Sequence, residues 1–94
     1  MSPSEGLAML KNWEIQKSKL SCISKGRPLG PMSTPVVVSI VESNLRIVPL
    51  SGSASISVDV SGVEFSSIIS PLRITLELKF PGDGSFAFEE KLQG

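Results

Sequence analysis

Residues 71–88 read Pro-Leu-Arg-Ile-Thr-Leu-Glu-Leu-Lys-Phe-Pro-Gly-Asp-Gly-Ser-Phe-Ala-Phe. Leu72, Ile74, Leu76, Leu78 and Phe80 alternate with Arg73, Thr75, Glu77 and Lys79. Strict alternation gives a strand with one apolar and one polar face, because successive side chains of a strand point to opposite sides. Pro81-Gly82-Asp83-Gly84 then has the chemistry of a tight hairpin loop, and Phe86 and Phe88 lead a return strand through Leu92. Gly82 to Ala87 also fits Gly-x-Gly-x-x-Ala. That dinucleotide pattern must open a helix in a parallel unit, whereas here it joins two alternating strands.

Working back from this hairpin, the same period recurs. Ala54, Ile56, Val58 and Val60 alternate with Ser55, Ser57, Asp59 and Ser61, and Gly62 reads as a bulge before Val63-Glu64-Phe65. Ser66 to Pro71 reads as a loop. Val36–Glu42 and Leu45–Leu50 are two strands joined by a Ser43-Asn44 turn, and Pro49 puts the end of the second at an edge or bulge. Five of the ten residues 26–35 are Gly or Pro, which makes that segment a loop. Lys19–Ser24 is a weak first strand. At the start, Ser2 N-caps, Pro3 takes the first helical position and Glu5 completes a capping box. Leu7, Leu10 and Trp13 follow at helical spacing, so the pattern predicts a helix over residues 3–13, with Trp13 as the anchor that seats it on the sheet. Gly6 weakens that helix by about 1 kcal/mol relative to Ala.

The resulting fold class is mostly β, or α+β by count. It is an N-terminal helix followed by a five- to six-stranded antiparallel small barrel, all in one domain over residues 1–94. A barrel suits 94 residues better than a sandwich. The helix would plug one mouth or cover the open seam.

Composition narrows the function. Nine Lys and Arg balance nine Asp and Glu, so no excess cation is available to displace counterions, which argues against nucleic acid as a partner. His is absent, which removes the usual general base, the usual triad and most zinc sites. Cys22 is the only cysteine, so no internal disulfide forms; on strand spacing it reads as a buried structural thiol. No carboxylate ladder, Walker loop or nucleophile elbow is present. The expectation is a chain that is not an enzyme and needs neither cofactor nor metal. Met-Ser-Pro-Ser-Glu lacks the pattern of a signal peptide, and the uncharged run from Pro28 to Val41 is 14 residues, short of the roughly 20 of a spanning helix. With the single cysteine, this points to a cytoplasmic protein without a membrane partner.

A short helix followed by a bent meander of strands resembles the Sm-like and SH3-like small barrels, and the bacterial Sm-like proteins form rings that bind RNA. Asp59-Val60-Ser61-Gly62-Val63-Glu64 locally resembles the Asp-x-Ser-x-x-Gly motif of PilZ domains, barrels that bind a cyclic dinucleotide. Asp59 and Ser61 match; Glu64 stands where that motif has Gly. The PilZ family's Arg pair is replaced by Lys11, Lys17 and Lys19, and Lys cannot reproduce bidentate Arg recognition. The resemblances imply a barrel that binds nucleotide or RNA, with Asp59 and Ser61 as ligand-binding residues. Read from the residues alone, the two are the solvent face of a strand.

One feature points to association instead. Val36, Val37, Val38, Ile40 and Val41 put apolar side chains on both faces of one strand, which then needs cover on both sides. Mean hydropathy is +0.21. Val37 and Val41, with Leu29 and Met32 on the loop, are the candidate oligomer interface. The leading expectation is a structural or protein-interaction module forming a homo-oligomer; the alternative is a ligand-binding barrel.

Overall fold

The computed structural model describes residues 2–25, 32–52, 54–82 and 84–92. The chain forms α1 (Pro3–Gln16), β1 (Leu20–Lys25), β2 (Met32–Val41), β3 (Asn44–Pro49), β4 (Ile56–Asp59), β5 (Glu64–Ile69), β6 (Arg73–Lys79) and β7 (Ser85–Lys91). The protein is thus mostly β with one N-terminal helix. Among the described residues seven strands make one antiparallel sheet in the order β4-β3-β2-β1-β7-β6-β5. Seven strands replace the five or six expected. No ladder joins the edges β4 and β5 among the described residues, so the sheet is not closed.

The sheet nevertheless curls strongly. β4 and β5 are consecutive in the chain yet lie at opposite edges. Laid flat, seven strands would hold their edges roughly 29 Å apart. The five steps from Asp59 to Glu64 can span at most about 18 Å. The connection therefore forces the edges toward each other. Buried Val60 and Val63 line it on the core side, and the Val60 amide donates to Ser43 O at 2.8 Å.

α1 begins as its sequence dictates. Ser2 Oγ accepts from the Glu5 amide at 3.3 Å, and Glu5 Oε1 accepts from the Ser2 amide at 3.1 Å. The helix runs to Gln16 rather than ending at Trp13. Apolar spacing ends at Trp13, but Glu14 and Gln16 favour helix, and the helix stops where Lys17 turns left-handed (φ 54°) and donates its amide to Glu14 O. α1 packs against both β2 and β5, which four strand spacings would separate in a flat sheet, so it lies across the gap the curl leaves.

Other boundaries moved for identifiable reasons. β2 starts at Met32, inside the expected 26–35 loop, whose residues 26–31 lie outside the described residues. Pro35 is accommodated because a ladder needs only its carbonyl, which accepts from the Leu50 amide at 2.9 Å. The bulge falls here, between Leu20↔Val36 and Cys22↔Met32, and not at Gly62. Gly62 (φ 75°) instead sits in the turn between β4 and β5. The β2–β3 turn is Glu42-Ser43, one residue earlier than expected, with Glu42 left-handed (φ 56°) and Asn44 already paired with Val41. Residues 66–69 are strand, not loop: Ser66 pairs with Glu77, Ser67 with Leu76, Ile68 with Thr75 and Ile69 with Ile74. Pairing with the strongly patterned β6 overrides the weak strand preference of the serines.

The registers put one set of side chains on the inner face. Phe86 lies opposite Leu78, Phe88 opposite Leu76 and Cys22, and Val38 opposite Ile47. Phe80 meets Phe86 edge-on with centroids 5.3 Å apart. Leu10 and Trp13 close this core from the helix, and among the described residues no polar or charged side chain is buried.

Candidate functional site

Three places on the molecule offer chemistry or contact. At the first, the structure brings Asp59 and Ser61 together in a turn. Asp59 Oδ1 accepts from the Ser61 amide at 2.9 Å. That amide, then the Ser61 hydroxyl and the Ser43 hydroxyl, hold the exposed Asp59 carboxyl below its ordinary value. The pair thereby shapes the exit from β4, and the Ser43 hydroxyl ties it to the β2–β3 turn.

The second place is the candidate interface. Val37 is half-buried opposite Val48, and Val41 is 69 % exposed opposite Asn44, both on the outer face of β2. The inner-face residues Val36, Val38 and Ile40 are buried in the core, so only one face of β2 is open to a partner. Leu29 and the side chain of Met32 lie outside the described residues. Three further exposed apolar side chains, missed in the sequence, lie at the far end of the sheet: Ile68, Ile69 and Leu72 are 70 %, 71 % and 66 % exposed. Adjacent isoleucines in a segment read as loop were their only local signal.

The third place is the seam between α1 and β2. Trp13 Nε1 donates to Glu90 Oε1 at 3.1 Å, which fixes the helix to β7. Glu14 Oε1 accepts from the Ile40 amide at 3.0 Å and from Lys11 Nζ at 3.3 Å. β1 pairs with β2 no further along than Val36, so the Glu14 side chain takes the place of a neighbouring strand for Ile40. Below this contact lies a groove lined by Glu14, Lys17, Lys19, Val37, Val38 and Leu50.

The Ile40 amide, and secondarily Lys11, keep the Glu14 carboxyl below its ordinary 4.5. A carboxyl depressed in the folded state contributes stability above its unfolded pKa, and that contribution disappears as pH falls through the depressed value. Glu14→Ala should therefore lower the urea midpoint at pH 7, with the gap from wild type narrowing in acid. Equal gaps at both pH values would show that Glu14 does not hold this edge as a carboxylate.

Cys22 is 1 % exposed, and burial pushes its thiol up to about 11, so it is a neutral packing group at physiological pH. Among the described residues no cluster of His, Cys, Asp and Glu is suited to a metal ion, and no helix is long and apolar enough to cross a membrane.

No family model, curated protein or solved structure matches this chain.

Proposed function

We propose that this chain is a non-enzymatic protein-interaction module that associates with a second copy of itself through the open β5 edge. The observation that carries the reading is an edge strand ending in exposed Ile68 and Ile69, with exposed Leu72 just beyond. Ser70 directs its amide inward to Arg73 O at 2.9 Å. Alternate amides of a strand face opposite edges, so those of Ser67 and Ile69 point outward, away from β6. Natural edges are usually guarded by charge or proline. Phe65–Ile69 carries neither, and the one charge in β5, Glu64, is paired across the ladder with Lys79. Two copies can meet antiparallel here with no like charges opposed.

The architecture that fits this role is a partly open barrel of the Sm-like or SH3-like kind, with α1 in its seam. The short β4–β5 connection and the contacts of α1 with both β2 and β5 support it. The absence of His from the sequence and the neutral, buried Cys22 thiol support the non-enzymatic reading.

Light scattering coupled to size exclusion tests the association. Wild type should elute at a multiple of 10.0 kDa, and the double variant Ile68→Lys/Ile69→Lys should elute as a monomer with unchanged circular dichroism, since both side chains are exposed. A monomeric wild type at high micromolar concentration, or a double variant that still associates, overturns the reading.

A further inference from the structure

We infer that the groove between the C-terminus of α1 and the β2 edge binds an aliphatic monocarboxylate, independently of any association through β5. The groove encloses about 430 Å³, within the size range of small-molecule sites. Its accessible aliphatic side chains are Val37, on the outer face of β2, and Leu50, which is 48 % exposed, just past the end of β3; Val38, whose side chain turns into the core, lines the groove where β2 has no neighbouring strand. Its cations are Lys17 and Lys19, either side of Ser18. Among the described residues neither lysine pairs with a carboxylate. Glu14 is the single acid in the lining, and its Oε1 is already held by Lys11 and the Ile40 amide.

The lysines have defined origins. Lys17 is fixed by the helix cap, where its amide donates to Glu14 O at 3.2 Å and that of Ser18 to Trp13 O at 3.1 Å. The Val38 amide faces the same edge as that of Ile40, beyond the point where β1 stops pairing. The lining therefore combines two lysines and a backbone edge with aliphatic side chains, and its one acid, Glu14, is already engaged. A single carboxylate on an aliphatic chain satisfies both parts. A nucleotide fits poorly, because it needs donors along several phosphates and a polar or aromatic wall for its base.

The probe is octanoate, titrated into isotopically labelled protein and followed by the amide NMR spectrum. Shifts should concentrate at Val37, Val38, Lys19 and Leu50. Octanol, which has the same tail without the charge, should bind at least about tenfold more weakly, a difference of about 1.4 kcal/mol. Lys17→Gln/Lys19→Gln should weaken octanoate by a similar factor and leave octanol unchanged; both side chains are exposed, so the fold should survive. Raised salt should weaken octanoate alone. The inference is overturned if octanoate leaves these amides unmoved, if octanol matches it, if the double variant binds equally well, or if the shifts fall at Ile68 and Leu72 instead.

Discussion

Val38→Asp is expected to abolish folding at neutral pH, measured as loss of the far-UV dichroism of the sheet. Val38 is 4 % exposed on the inner face and lies opposite Ile47, which is fully buried. The substitution removes a buried aliphatic side chain, which contributes about 1.5–3 kcal/mol. It also places a carboxylate among hydrocarbon without a partner, at an effective penalty of several kcal/mol. A domain of this size has about 5–15 kcal/mol of total stability, so the sum takes most or all of it. Val37→Asp is the control. Val37 is the next residue of the same strand but points to the outer face, half-buried beside Val48. That variant should fold, with a modest fall in its urea midpoint. If both variants unfold, or both fold, β2 does not divide its faces as described.

The same alternation explains how much of the fold was legible. The β6–β7 hairpin and the start of α1 depend on residues close in sequence, and they stand where the local pattern put them; the two apolar faces of β2 did not say which one is the core, and only Val36, Val38 and Ile40 are buried. Strand order does not depend on local pattern. Leu20–Lys25 is polar-rich and looked weak, yet β1 is the central strand, because β2 and β7 flank it on both sides. Ser66 and Ser67 read as loop because serine carries no strand signal; their register with Glu77 and Leu76 of β6 decides the matter from outside the local window. The candidate sites divide in the same way. Asp59 and Ser61 are neighbours, and their turn is a local event. The bond from the Ile40 amide to Glu14 joins residues 26 apart, and the groove beside it gathers residues from 14 to 50. Nothing in the spacing of those residues announces that they meet.

Gly6 shows the limit of local reasoning most sharply. By helix propensity, Gly6→Ala should stabilise α1 by about 1 kcal/mol. The structure reverses the sign. Gly6 is buried, and a Cβ placed on it would fall inside the van der Waals contact of Phe65 Cγ and Cδ1 and lie 2.8 Å from Cδ2. The obstacle is an aromatic ring that is itself only 7 % exposed, so it has little room to retreat. Forcing extra atoms into a packed site costs about 1–3 kcal/mol, which matches or exceeds the propensity gain for Ala. Val adds two more methyl groups and a stiff χ1, and recovers less propensity than Ala. Gly6→Val should therefore destabilise by about 1–3 kcal/mol net in urea unfolding, and Gly6→Ala by less but measurably. Phe65→Leu in the Gly6→Ala background should recover part of the loss, because a smaller side chain makes room for the new methyl. A Gly6→Val variant as stable as wild type would mean that α1 does not sit directly on β5.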